Sequence, residues 1–311
     1  MRVKVLSIYN GTMIQVDRII PEVPPKGRQL RVIIDTDFAN EIDDLYALAF
    51  AIVHPERFKI EGIIAANFNN RRPGAGPGSI DESYRLIKRF LASGGLEEHY
   101  TVKKGSSPMQ YYGYPSESEG VNYIIERAKA GSKDDPLWVV CLGASTDLAS
   151  AIIKEPDICD KVRFVFHARS SANWPERSKQ FNVRGDIHAA RTLLTTWVPL
   201  VWFDTGTHLC CPMAVTEKYV ASHGGIGKFI HEFRYESNDW QLNTKGFFDM
   251  GDLVYLYEPE SCFAEIIKAP TMDEYMFFNH EFTNGKMVRV FDIDNNRAWN
   301  LLFEGFENVK Y

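Results

Sequence analysis

The ten residues Asp35-Thr36-Asp37-Phe38-Ala39-Asn40-Glu41-Ile42-Asp43-Asp44 hold five carboxylates. Packed that densely, ionised carboxylates repel one another unless a cation or bound protons neutralise them. The segment lies between an apolar run, 31–35, and a stretch of helical periodicity, 41–53, so a strand end and a helix start must bring the acids together. The dipole of that helix offsets part of the repulsion. Asn40 reads as the N-cap and Glu41 as a first-turn acid, and capping accounts for those two. It does not account for Asp35 and Asp37 at the strand end, which point to metal binding or acid–base chemistry. Oxygen-only ligands favour Ca²⁺ or Mg²⁺ over zinc. The eight histidines show no HxH or HExxH spacing and the five cysteines no CxxC, so a nitrogen- or sulfur-based metal site is not expected.

The elements that must position these groups alternate. Residues 59–66, 100–102, 137–142, 163–167 and 199–203 read as strands, and 81–91, 118–130, 146–153 and 186–194 as helices. This alternation predicts one α/β domain with a mostly parallel central sheet flanked by helices. Residues 1–29, with Pro21, Pro24, Pro25 and Gly27, read as an extension that pairs a strand with the body and then turns; the domain spans 30–311. Beyond residue 268 the pattern becomes a C-terminal hairpin, 275–282 and 286–291 flanking Thr283-Asn284-Gly285, followed by a helix around 299–306. The loop-rich stretches 68–79 and 105–120 follow strands, where open α/β sheets carry their ligand loops.

Composition narrows the class. Of 311 residues, 45% are hydrophobic and 24% charged, which excludes wholesale disorder. A net charge of -6 gives no electrostatic footprint for nucleic acid or an anionic membrane. The longest apolar run, 45–53, is nine residues, too short to span a bilayer. The N-terminal residues lack the apolar stretch and cleavage site of a secretory leader, and the sparse, scattered cysteines point to a reducing cytoplasm. Gly74 to Ser79 lacks the third glycine of a dinucleotide loop, and 143–147 lacks the last glycine of a nucleophile elbow. The stretch 292–296 starts like an EF-hand loop, but Arg297 occupies the glycine position.

Four segments, in order along the chain, resemble the nucleoside hydrolase family, the calcium-dependent N-ribohydrolases. Asp35-x-Asp37 and Asp43-Asp44 are similar to the outer parts of that family's D-x-D-P-G-x-D-D, with the Pro-Gly absent and five residues rather than three between them. Leu142-Gly143-Ala144-Ser145-Thr146-Asp147-Leu148-Ala149 resembles L-G-P-L-T-N-L-A. Gln180-Phe181-Asn182-Val183-Arg184-Gly185-Asp186 resembles E-F-N-x-x-x-D. Phe248-Asp249-Met250-Gly251-Asp252 resembles the segment that opens with H-D-P. In addition, Gly62 to Asn69 resembles G-I-T-T-V-A-G-N, with Asn67 competing with Asn69 for the last position. Taken without the resemblance, 142–149 is also a plain strand–turn–helix with Ser145 as N-cap, 181–186 a surface turn, and Asp249 an N-cap of the helix to Tyr257.

The resemblance implies the fold of that family and hydrolysis of the N-glycosidic bond of a ribonucleoside. It implies one Ca²⁺ on Asp37, Asp44, Asp249 and the Thr146 carbonyl, with Asp37 as general base. It further implies Asp43, Asn182, Asp249 and Gln180 on the sugar and Asn69 on the sugar or the base; Phe248 with a loop aromatic such as Trp174 would sandwich the base. His167, at a strand end, is a further pocket candidate, with a satisfied buried histidine as the plainer reading. Gln180 stands where the family has Glu, Phe248 where one branch has a histidine proposed to protonate the leaving base, and His167-Ala168-Arg169-Ser170 where the family has G-G-A. The implied partner is a small-molecule nucleoside, with a homodimer or homotetramer as the assembly and no nucleic acid or membrane. Two rivals remain at this point: a non-catalytic sugar- or nucleoside-binding protein on the same fold, and a haloacid-dehalogenase-type phosphatase, whose D-x-D-x-[TV] opening fits Asp35-Thr36-Asp37 but not Ala39.

Overall fold

The computed structural model describes residues 18–69, 76, 78–168 and 173–309. Among the described residues eight strands form one sheet: β1 (Leu30–Thr36), β2 (Phe58–Ala65), β3 (Val102–Lys104), β4 (Leu137–Cys141), β5 (Val162–His167), β6 (Leu200–Phe203), β7 (Cys262–Met272) and β8 (Phe278–Ile293). Their spatial order is β3-β2-β1-β4-β5-β6-β8-β7. All neighbours are parallel except β7, which runs antiparallel to β8 at the edge. A buried parallel strand must be apolar on both faces, and LRVIIDT of β1 is buried throughout. The chain lays β2 and β3 on one side of β1 and β4, β5, β6 and β8 on the other. The C-terminal ends of β1 and β4 therefore flank a topological switch point, where open sheets of this kind leave a crevice.

The helices are α1 (Asp43–Val53), α2 (Ser79–Ser93), α3 (Glu119–Lys129), α4 (Thr146–Lys154), α5 (Phe181–Gly185), α6 (Ile187–Thr195), α7 (Met213–Tyr219), α8 (Gly225–Phe233), α9 (Met250–Tyr257) and α10 (Asn295–Asn308). One core sits between the sheet and α1, α2, α8, α9 and α10. The other sits between the sheet and α3, α4 and α6. Every residue of α1 is buried, because the sheet covers one side and α9 and α10 cover the other. None of the helices among the described residues is long and apolar enough to cross a membrane.

The structure moves several expected boundaries. α1 begins at Asp43, not Glu41, and its N-cap position is Ile42. Asn40 is not a cap; its Nδ2 donates to Asp37 Oδ2 at 3.0 Å instead. Ser145 precedes α4 without a side-chain cap bond. Thr283-Asn284-Gly285 does not turn the hairpin. It is an irregularity within the 16-residue β8, with Gly285 at φ 68°. The reversal is at 273–277, where Asp273 accepts from the backbone N–H groups of Tyr275 and Phe277 at 2.9 Å. A turn-forming tripeptide inside a twisted edge pair serves a bulge as readily as a hairpin. Residues 18–29 contain no strand. Arg57 ties them to the body by donating to the carbonyls of Pro24, Pro25 and Arg28; residues 1–17 of the expected extension lie outside the described residues.

A bulge in β2, between the partners of Val32 and Ile33, leaves Glu61 out of the ladder. Its carboxylate is taken by Arg31 of β1 at 2.8 and 2.9 Å and by Arg127 of α3 at 2.8 Å. Burial pushes the Glu61 pKa up, but the two guanidinium groups outweigh it and hold the group down at about 2. A depressed carboxylate adds stability above its unfolded value, and that stability is lost as pH falls through the folded one. Glu61→Gln should therefore destabilise by about 3 kcal/mol at neutral pH. Against the parent chain, that deficit should shrink between the ordinary glutamate value and about 2, as followed by urea unfolding across pH. A pH-independent deficit would mean that packing rather than charge ties β1, β2 and α3 together.

Candidate active site

Four carboxylates meet at the switch point. Asp37 follows the end of β1, Asp43 and Asp44 form the first turn of α1, and Asp249 occupies the N-cap position of α9. Asp249 makes no cap bond with its side chain, so the capping reading fails and its carboxylate is left to the cavity. Ligand oxygens of Asp43, Asp44 and Asp249 lie within 4.8 Å of one another. The starts of α1 and α9 both open on this point, and their dipoles offset part of the negative charge.

The cluster is crowded enough to shift its own acidity. Burial pushes Asp37 well above the usual carboxylate range, and Asp44, Asp43 and Glu41 add to the shift. Burial and then Asp43, Asp44 and Asp37 do the same to Asp249. Asp44 is pushed up to about 8 by burial and Asp43, although Thr36 Oγ1 donates to it. Asp43 rises less, because Lys245 sits beside it. The Lys245 ammonium is buried, 2.8 Å from Glu41 Oε2, 3.3 Å from Asp43 Oδ1 and 2.5 Å from the Gly246 carbonyl. Three acceptors use its three hydrogens, which makes it a strut for this wall.

Asp37, Asn40, Glu41, Asp43, Asp44, Leu142, His167, Gln180, Phe181, Asn182, Phe248 and Asp249 line a cavity of about 130 Å³. Opposite the acids, Asn182 Nδ2 donates to the carbonyls of Leu142 at 2.5 Å and His167 at 3.1 Å. Both amide hydrogens are thereby taken up, and what Asn182 can offer a ligand is its oxygen. The 181–186 segment is thus not a surface turn. Gln180 caps α5, its Oε1 accepting from the N–H groups of Asn182 and Val183 at 2.7 and 3.1 Å. His167 Nδ1 lies 2.7 Å from Asp252 Oδ2 and 3.7 Å from Asp249 Oδ1. Phe248 is seated by Gly206: at φ 112°, any Cβ there would stand 2.8 Å from the Phe248 Cα. The Lys245 ammonium lies 4.7 Å from the centre of the Phe248 ring.

Of the residues singled out in the sequence, the cavity brings together Asp37, Asp43, Asp44, His167, Gln180, Asn182, Phe248 and Asp249. Three others stand elsewhere. Asn69 is exposed and outside the lining, while Asn67 is buried and donates to the Ser106 carbonyl. Trp174 packs edge-on to Phe278 and under Arg289. Thr146 turns its hydroxyl to Asp186, and the residue of that turn which lines the cavity is Leu142. Sequence reading missed Lys245, Leu142 and Asp252. Only Asp252 left a signal, an i, i+3 spacing from Asp249 that sets both on one helix face. Asp35 is wholly buried and does not line the cavity. A nucleophile there has no access to a ligand, which removes the phosphatase reading. A wider hollow of about 820 Å³, between Ser107 and Glu117, gathers no comparable set of acids or bases.

The donor set fits a hard divalent cation: buried carboxylates outnumber the nearby Lys245 ammonium and no thiolate stands among them, while His167 with Asp249 and Asp252 forms a second group close enough to share an ion, a nitrogen ligand the sequence did not lead one to expect.

The sequence matches the family model for inosine-uridine preferring nucleoside hydrolase over residues 32–300. Among curated proteins nothing matches. Among solved structures, a plant nucleoside hydrolase, PpNRh1, is 19% identical with a TM-score of 0.69, covering 90% of this chain and 99% of that one. A purine-preferring ribonucleoside hydrolase from Gardnerella vaginalis is 18% identical with a TM-score of 0.68, covering 89% and 98%. The type III effector protein XopQ, solved with adenosine diphosphate ribose, is 14% identical with a TM-score of 0.61, covering 93% and 95%. At these identities the structures establish the shared fold.

Raised carboxylates hold protons that a cation must displace. Divalent-cation affinity should therefore rise as pH climbs from the ordinary aspartate value toward about 8, with proton release visible as a buffer-dependent calorimetric heat. The cation-free chain should lose stability as pH climbs from the ordinary aspartate value toward about 8, since the folded state binds more protons there than the unfolded one, and the cation should restore it. Affinity that is flat across this range would count against protonated acids in the cluster.

Proposed function

Because this chain belongs to the inosine-uridine preferring nucleoside hydrolase family, we propose that it hydrolyses the N-glycosidic bond of a ribonucleoside to ribose and free base. The observation that carries this reading is Asp37. Its carboxyl lines the cavity, is oriented by Asn40, and is in hydrogen-bond contact with Asp44. Asp37, Asp44 and Asp249 would hold one Ca²⁺, with the Leu142 carbonyl the better candidate than Thr146 for a main-chain ligand. Such an ion would lower the pKa of a water and attract sugar hydroxyls. Asp37 takes the proton from the attacking water as general base. Asp43, braced by Lys245, and the Asn182 oxygen hold the sugar hydroxyls. Water attacks the face of the sugar opposite the base, which gives inversion, as in inverting glycosidases. Phe248 has no proton to give and serves as a stacking plane; the base leaves with the electron pair of the N-glycosidic bond and takes its proton from solvent.

A second reading, ligand binding without turnover, draws on the effector proteins among the structural matches. The same site would then hold a ribosyl ligand. The substrate is in either case a small molecule. The five free thiols accord with a cytoplasmic setting.

Release of reducing sugar from inosine, adenosine, uridine and cytidine, with and without Ca²⁺, separates the two readings. Asp37→Asn should keep the fold and reduce turnover by about a thousandfold, because an amide cannot accept the water's proton. A folded variant at near-parental rate would remove Asp37 from the role of base. Purines should be preferred, and Phe248→Ala should narrow the purine-to-pyrimidine ratio of kcat/KM by about tenfold through lost stacking. An unchanged ratio would mean that Phe248 only packs.

A further inference from the structure

The chemistry above leaves one buried pair without a role. Asp252 lies one turn along α9 from Asp249, and its Oδ2 accepts the Nδ1–H of His167 at 2.7 Å. The two residues are 0% and 2% exposed. As a source of stability the pair is poorly made: two polar groups leave water, and among the described residues Asp252 Oδ1 finds no hydrogen-bond partner. Apolar side chains of the same volume would fill the space more favourably.

What the pair does achieve is orientation. A carboxylate on Nδ1 fixes the proton there and leaves the Nε2 lone pair available in the neutral ring. His167 closes β5 and lines the cavity, and among the described residues its Nε2 has no hydrogen-bond partner. Gln180 Oε1 is taken up capping α5, and Asn182 offers one oxygen. At about 130 Å³, the acid-lined cavity is small beside a typical ligand pocket and suits the sugar more than the base.

We infer that His167 is a sugar-positioning residue whose Nε2 accepts a hydrogen bond from one ribose hydroxyl, and that Asp252 holds the imidazole in the tautomer and orientation this requires. This rests on the proposed reading of the cavity. A site built around a hydroxyl discriminates strongly against the analogue that lacks it, because its own acceptor is then left unpaired in a dry wall. The pair accordingly makes the protein selective at one position of the sugar.

Calorimetry on the Ca²⁺-loaded chain with ribose, 2-deoxyribose, 3-deoxyribose and 5-deoxyribose tests this. The parent should bind ribose most tightly. His167→Ala should weaken ribose by about tenfold and abolish discrimination against one of the deoxy sugars while keeping it against the others. His167→Gln, which returns an acceptor near the Nε2 position, should restore part of that discrimination. Asp252→Asn should show the same selective loss in smaller measure. Ca²⁺ affinity, titrated separately, should stay within about twofold. Equal weakening of all the sugars, or no weakening, would overturn the inference. So would a large loss of Ca²⁺ affinity, which would make His167 a metal ligand. A parent chain that binds none of the sugars would instead overturn the reading of the cavity itself, and this inference with it.

Discussion

Four carboxylates forced into one buried space are the constraint around which the molecule is organised. In water Asp37, Asp43, Asp44 and Asp249 would separate; here backbone geometry denies them the chance. Their approach is tolerable because the starts of two helices, α1 and α9, are aimed at them and because Lys245 braces one side. A strand order that reverses between β1 and β4 leaves the crevice in which this happens. The complete burial of α1 then keeps its first turn from drifting away under its own repulsion.

Much of this was legible in the sequence, for a local reason. Asp35 to Asp44 is one strand–turn–helix transition, so the spacing of its acids maps directly onto space. The alternation of apolar runs and helical periods likewise gave the parallel sheet. What stayed illegible depends on orientation or distance. Asn69 and Trp174 carry suitable chemistry, but nothing in a sequence says which way a loop side chain faces. Leu142 lines the cavity and presents a main-chain carbonyl, to which side-chain identity is no guide, whereas the polar residue of the same turn, Thr146, does not reach the lining. Lys245 meets Asp43 across two hundred residues of chain. The tripeptide at 283–285 was misread because positive φ is demanded by bulges and turns alike.

The cavity also shows polar groups serving architecture and chemistry together. Asn182 joins the end of β4 to the end of β5 with its amide hydrogens and keeps only an oxygen for a ligand. Gln180 gives its oxygen to the start of α5. At such positions a substitution perturbs wall and ligand at once, so chemical similarity of the replacement is a poor guide to its effect.

One short segment, from Phe248 to Asp252, carries the stacking ring, a carboxylate of the cluster and the partner of His167, and it is rigidly continuous with a helix buried against α1. In the proposed reading, leaving group, cation and sugar are therefore sensed by a single lever. Selection for a different base, if it tilts this segment, cannot avoid re-tuning the other two contacts. The corresponding evolutionary paths should run through compensating pairs of changes rather than through independent steps.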